Sequence, residues 1–394
     1  MITLAIVLVA LGVPLVLACG YLLLLTLASA RLPAPAPTDP SLRFDLIVPA
    51  HDEEAGIADT VRNLLEIDWP RTLFRVVVVA DNCTDATALR ALAAGATVLE
   101  RTDNERRGKG YALELAFAES ARAGSADAVV VIDADTLVSG NLLAAFAARL
   151  RDGARAAQAD YAVRNPGASW RTQLMAIALG MFHVVRSRGR ERLGLSCGLR
   201  GNGMCFSVSL LREVPHDAYS LVEDVEYGLR LGALGHRVHY AGDAHVYGEM
   251  VTKEAAARSQ RRRWEEGRKA LARRAPALLA VALREGDCLR LDLALDLLVP
   301  PLSTLVLLSM LGAALSLGLR LLGAPAFPLW PYCACLVMLF FYGIRGWSVS
   351  GTGLRGLVAL LLAPLFVLWK IVLRLGGRDK QRHWVRTARE GKST

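Results

Sequence analysis

The chain has 394 residues and a formal net charge of +9, with a mean hydropathy of +0.34. That hydropathy excludes an ordinary soluble protein, and its source is local, in apolar runs at the two ends of the chain. The seven cysteines (Cys19, Cys83, Cys197, Cys205, Cys288, Cys333 and Cys335) form no C-x-x-C pair, which excludes a disulfide framework and fits a reducing compartment.

Residues 2–30 carry no charge. A run of this length can cross a hydrocarbon core about 30 Å thick, and it lacks the basic start and short apolar core of a cleavable leader. A membrane helix is therefore expected over residues 1–30. The segment "RLPAPAPTDP" (31–40) reads as a stiff proline-rich linker. No cation precedes the first helix, whereas Arg31 and Arg43 follow it. The domain beyond it, residues 41–285, is accordingly expected on the cytoplasmic side of the inner membrane.

Within that domain, residues 44–48 (FDLIV) read as a strand ended by Pro49. "HDEEAGIADTVRNLLEI" reads as a helix with acids in its first turn. "FRVVVVADN" has the β-branched character of a strand buried on both faces. The helix "TDATALRALAAG", the strand "ATVLER", the helix "YALELAFAESARAG" and the strand "DAVVVIDADT" follow in turn. Such alternation predicts a parallel sheet covered by helices, with ligands bound beyond the carboxyl ends of the strands.

Each of those ends carries acid. Asp133 and Asp135 are two apart, so on an extended chain they share a face. They make a partial site for Mg²⁺ or Mn²⁺ bridging to phosphate oxygens, or they merely cap a strand. Asp81 is placed either to accept hydrogen bonds from a base or ribose or to shape a turn, and Asp85 reads as a helix N-cap. Lys109 lies between two glycines at a helix start, a setting that attracts anions. The P-loop and dinucleotide fingerprints are both missing. "GLRGNGMCFS" (198–207) is a glycine-rich loop before an apolar run. "SLVEDVEYGLRLGALG" (220–235) starts a helix with Glu223 and Asp224. Acids there are ordinary helix-start residues, or one of them removes a substrate proton.

The basic stretch "ARSQRRRWEEGRK" (257–269) suits nucleic acid, lipid headgroups or one highly charged substrate. A cleft ringed with acids disfavours nucleic acid. Three more apolar stretches, 298–319, 326–344 and 354–373, predict about three membrane helices within 286–375, followed by a basic tail, 376–394. Three simple crossings would place that tail outside, against the charge rule. Either one stretch lies in the interface or the rule fails there.

The ordered set "VPAHDEE", "ADNCTD", "GKG", "DAD", "GNG", "VED" and "QRRRW", spanning residues 48–264, resembles the membrane-bound glycosyltransferases of family 2. That group contains the cellulose, hyaluronan and chitin synthases, and the tail "WVRTARE" is similar to bacterial exopolysaccharide members. The resemblance implies an α/β, Rossmann-like GT-A domain with a mostly parallel sheet, set between transmembrane helices. It also implies an inverting glycosyltransferase using a nucleotide sugar, usually UDP-linked, in cell-surface or exopolysaccharide synthesis.

Carried over residue by residue, Pro49, Ala50, Asp52, Glu53 and Asp81 match donor-binding positions, with Lys109. Asp133 and Asp135 match the D-x-D that binds Mg²⁺ or Mn²⁺ and diphosphate, and Asp224 the general base. Gly201, Asn202, Gly203, Glu223, Gln260, Arg263 and Trp264 match the diphosphate and acceptor side. Asp52 stands where Asn is common, Val222 where Thr is usual, and "MVTK" where some members carry Pro-Thr. These departures leave the sugar open. The expected partners are the nucleotide-sugar donor, a glycan or lipid-linked acceptor and the bilayer, with no nucleic acid. Transfer of one sugar to a lipid is the alternative to polymer synthesis, and a non-catalytic membrane-anchored binding protein is a third reading.

Overall fold

The computed structural model describes residues 1–33, 35–36, 40–248 and 266–362. Gln260, Arg263, Trp264 and the basic tail lie outside the described residues, as does most of the last apolar stretch.

One eight-stranded sheet organises the domain: β1 (Phe44–Ala50), β2 (Phe74–Asp81), β3 (Thr97–Arg101), β4 (Ala128–Val131), β5 (Thr136–Val138), β6 (Ala156–Val163), β7 (Met204–Ser207) and β8 (Val238–Gly248). Its order is β3-β2-β1-β4-β7-β6-β8-β5. The pairs β3–β2, β2–β1, β1–β4 and β6–β8 are parallel, while β7 runs antiparallel to both β4 and β6. The β-branched runs of β1, β2 and β4 are buried on both faces, as strands covered by helices on either side must be. Phe44, Leu46 and Val48 enter one core with Val76 and Val78, and Ile47 enters the opposite core with Val77 and Val79.

Two local expectations need correction. Pro49 does not end β1: it continues in register, Pro49 opposite Val79 and Ala50 opposite Ala80. The helix after it begins only at Ile57, so Asp52, Glu53 and Glu54 lie in a loop, not in its first turn. Asp52 has φ +53°, a left-handed conformation that no helix start uses and that Asp tolerates better than most residues.

Among the described residues, three helices are long and apolar enough to cross a membrane: Ile2–Leu27, Leu302–Leu321 and Leu329–Val349. The third expected C-terminal crossing is described only as the helix Gly353–Leu361. The helices close on one another around Tyr332, whose hydroxyl donates to the Leu8 carbonyl at 2.7 Å. Gly312 has no room for a Cβ beside that ring.

The domain meets this bundle directly. A Cβ on Gly189 would lie 2.6 Å from the Leu25 carbonyl oxygen, and one on Gly180 would lie 2.9 Å from that of Gly346. The helix Cys288–Leu298 packs Leu293 and Leu297 against Val222 and Leu229 of the domain. It turns Asp292 and Asp296 toward Arg190 and Arg186.

Candidate active site

The parallel register brings the ends of β1, β2 and β4 to one edge of the sheet. β7 enters at the same edge, since it runs opposite to β4 with Met204 facing Val131. Gly203 donates to the Val131 carbonyl at 2.9 Å. The glycine-rich loop 198–203 and the acids after β4 are therefore neighbours by topology.

Lys109 stands at their centre. Its Nζ lies 2.6 Å from Asp133 Oδ1 and 3.7 Å from Glu223 Oε1, and it also donates to the Gly201 carbonyl. Burial works against its charge, but Asp133 and Glu223 outweigh that and raise its pKa. Lys109 opens the helix Lys109–Ala123 after Gly108 at φ +125°. At the next position a Cβ would overlap the Ala218 carbonyl, so "GKG" is required by backbone conformation on one side and close packing on the other.

Gly201 has φ +77°, and a Cβ there would come within 3.3 Å of Asp224 Oδ2 and 3.6 Å of Lys109 Nζ. Both acids at the start of Glu223–Ala233 thus face the cleft. Burial raises the Glu223 carboxyl to about 7, with the Asp224 charge adding and Lys109 opposing. Burial also raises Asp224, against the Val225 backbone N–H, Lys109 and Arg200, which favour its charge. Two carboxylates held close together cannot both ionise at the ordinary pKa, so they titrate as a pair.

Asn202 is fully buried. It accepts from the Asp133 backbone N–H at 3.1 Å and donates to Thr136 Oγ1 at 2.7 Å, which fixes the chain after β4. That chain is not extended. Thr136 N–H bonds back to the Asp133 carbonyl at 3.1 Å, closing a turn. The relation of Asp133 to Asp135 is therefore set by a turn, not by the alternation of a strand.

The other expected donor residues form a second group. Asp81, at the end of β2, is paired with Arg101 at 2.7 Å. Asp52 accepts from the Thr84 N–H at 2.7 Å, and Glu53 N–H donates to Thr87 Oγ1 at 2.7 Å, so the loop after β1 is tied to the loop after β2. Asp85 accepts from the Thr87 N–H at 2.9 Å, next to the helix Thr87–Ala93, and from the Glu54 N–H at 3.2 Å. Among the described residues, ligand atoms of Asp52, Cys83 and Asp85 lie within 4.8 Å of one another. Their oxygens are already engaged by these backbone donors.

Several participants were not singled out from sequence. Gln158, buried in β6, donates to the Asn202 carbonyl at 2.7 Å and accepts from the Arg200 N–H at 2.9 Å. Nothing in "RAAQADY" marks it except one amide among alanines. Tyr161, three residues on, stacks on His183 with ring centroids 5.2 Å apart. Burial raises its hydroxyl pKa, and the charges of Asp133, Asp135 and Asp224 add to that. Gln158→Ala is expected to destabilise the protein by about 1–3 kcal/mol, because buried backbone groups lose their partner. Thermal unfolding of the full chain measures this.

Residues 40–267 match the family described as glycosyltransferase like family 2. A probable glycosyltransferase, YdaM, of Bacillus subtilis is 23% identical over 234 residues, covering 57% of this chain and 55% of that protein. A beta-monoglucosyldiacylglycerol synthase of Synechocystis is 28% identical over 239 residues, 59% of this chain and 49% of that protein. The chain thus spans about half the length of the curated relatives it matches. A mannosyltransferase from Pyrobaculum calidifontis, solved with GDP-mannose and Mn²⁺, superposes with a TM-score of 0.55 at 20% identity. That match covers 87% of this chain and 98% of the other. The shared fold is the expected α/β GT-A arrangement.

Proposed function

The chain belongs to glycosyltransferase family 2, and on that premise we propose that it is an inverting, nucleotide-sugar-dependent transferase acting on a membrane-associated acceptor. The observation that carries this reading is the convergence of Lys109, Asp133, Gly201, Glu223 and Asp224 at the carboxyl edge of the sheet.

Asp133 and Asp135 offer hard carboxylate oxygens suited to Mg²⁺ or Mn²⁺, and Lys109 on Asp133 marks the demand for positive charge there. A metal held there would neutralise charge on the donor's diphosphate. Lys109 serves the same anion from the protein side. Asp52, Glu53 and Asp81, beside Pro49 and Ala50, are assigned to the nucleoside. The acceptor O–H gives its proton to Asp224 while its oxygen bonds to the anomeric carbon. The carbon–oxygen bond to phosphate breaks on the opposite face, and nucleoside diphosphate departs. One displacement inverts the configuration.

Gln260, Arg263 and Trp264 are assigned to the leaving diphosphate and acceptor, as in the Q-x-x-R-W type. Lysine keeps charge but lacks the planar fork. Arg263→Lys is therefore expected to lower turnover about tenfold, against little change in Arg261→Lys or Arg262→Lys. Rates of the three variants in the same membranes decide it.

The domain, residues 41–285, is assigned to the cytoplasmic side of the inner membrane, where nucleotide sugars are made. Transfer of a single sugar to a lipid is favoured over polymer synthesis. The curated relatives named for a glucolipid support this. Turnover is expected to rise with pH and then level off as the raised Glu223–Asp224 pair gives up its protons. Glu223→Gln removes a neighbouring negative charge and moves that limb to lower pH, as a pH–rate profile would show.

Calorimetric titration of the full-length protein with UDP-, GDP-, ADP- and TDP-sugars, with and without Mn²⁺, tests the donor assignment. One donor binding only with metal is expected. Binding of none, or binding indifferent to metal, contradicts it.

A further inference from the structure

Where the domain meets the membrane helices, four guanidiniums (Arg186, Arg190, Arg200 and Arg268) gather around two carboxylates, Asp292 and Asp296. Arg190 is matched, with Asp292 at 2.9 Å and Asp296 at 2.8 Å. Arg186 and Arg268 share Asp296, at 3.0 and 3.4 Å. Burial works to raise Asp296, but Arg190, Arg268 and Arg186 hold it well below the usual carboxylate range. Its charge is already shared three ways.

Arg200 feels the charges of Asp224 and Asp296 only at a distance. Among the described residues no carboxylate lies within ion-pair distance of it. It donates to the Cys197 carbonyl at 2.9 Å, and its buried Nε makes no hydrogen bond. Its guanidinium lies 4.3 Å from the centre of the Phe182 ring, and those of Arg186 and Arg268 lie 4.9 and 5.6 Å from the same ring. Burial and repulsion from Arg190 lower the Arg200 pKa to about 10, with Asp296 opposing. A largely enclosed cation that touches no carboxylate directly is costly, and an anion in contact with it would relieve that cost.

Position says what the anion belongs to. Arg200 directly precedes Gly201, which lies against Asp224 Oδ2. Phe182 follows Met181, whose carbonyl accepts from Tyr342 of the membrane helix Leu329–Val349 at 3.1 Å. Arg200 therefore links the assigned base to the membrane-facing side. We propose that Arg200, with Arg268 and Arg186 around Phe182, binds a phosphoryl group on the acceptor, so that the acceptor is a phosphate-bearing lipid and not a neutral one. This inference rests on the transferase reading above and names its acceptor class. Guanidinium is suited to it through two parallel N–H donors.

The test is calorimetric binding of hexyl phosphate, hexanol and inorganic phosphate to the full-length protein, alongside donor consumption. Hexyl phosphate should bind and hexanol should not. R200Q should weaken hexyl phosphate binding about tenfold or more, with R200K intermediate and the exposed-site control R122Q unchanged. Should R200Q not be recovered folded, R268Q is expected to show the same weakening. Equal binding of hexanol, unchanged affinity in both R200Q and R268Q, or inorganic phosphate bound as tightly as hexyl phosphate would each overturn the inference. Donor consumption separates the two levels. A wild-type protein that consumes no nucleotide sugar sinks the transferase reading, whereas one that consumes donor but ignores the phosphoryl group sinks only this acceptor assignment.

Discussion

Asp224→Asn is expected to lower kcat by about 10²- to 10⁴-fold, the range supplied by a positioned general base. The amide keeps the size of the side chain but cannot take the acceptor proton. Asp224 is at the start of Glu223–Ala233, with its Oδ2 near the Cβ direction of Gly201, so the replacement needs no backbone movement. Its carboxylate is disfavoured by burial, so the neutral amide should fold at least as well as the acid. Donor affinity is expected to change little, since the loss falls on the chemical step. Single-turnover rates beside donor dissociation constants separate the two effects. A kcat within threefold of wild type would remove Asp224 from the mechanism.

Asp135→Asn should lower turnover by about 10²- to 10³-fold at fixed Mn²⁺, the scale for losing electrostatic stabilisation of a developing anion. Asn retains one weakly coordinating oxygen, so the loss should appear first as a weaker apparent metal affinity. Excess Mn²⁺ should recover part of the rate. The loop is expected to stand, because its turn is closed by Thr136 N–H on the Asp133 carbonyl and its strand end by Asn202. Initial rates across a Mn²⁺ titration give the answer. An unchanged metal requirement would place the metal elsewhere.

Much of the sheet was legible in the sequence. β1, β2, β3 and β4 are short β-branched runs separated by helices, and this alternation points to parallel pairing on physical grounds. β6 and β8 were harder to see. "AAQADYAV" is alanine-rich and "VHYAGDAHVYG" is broken by glycine and charge, so neither carries a strong strand pattern. They are held as strands by long-range pairing. The loop after β1 was misplaced for a related reason. Acids before an apolar periodic run look like a helix start, yet Asp52 and Glu54 are drawn into bonds with Thr84 and Asp85 from the next loop.

The site was partly legible. Lys109, Gly201 and Glu223 stand out because glycines and helix-start acids advertise themselves locally. Gln158 and Arg200 do not, because what brings them to the site is a contact across 42 positions of the chain. Arg101 was missed likewise. Its pairing with Asp81 depends on β3 lying beside β2, a neighbour relation that no local pattern encodes.

The measurement that bears most directly on the central claim is release of nucleoside diphosphate by the full-length protein in lipid membranes. It should be run across a panel of nucleotide sugars with Mg²⁺ or Mn²⁺, for wild type and Asp224→Asn side by side. One donor should be consumed, only with metal and only by the wild type. Equal release by the variant, or no donor consumed under any metal condition, would contradict the account.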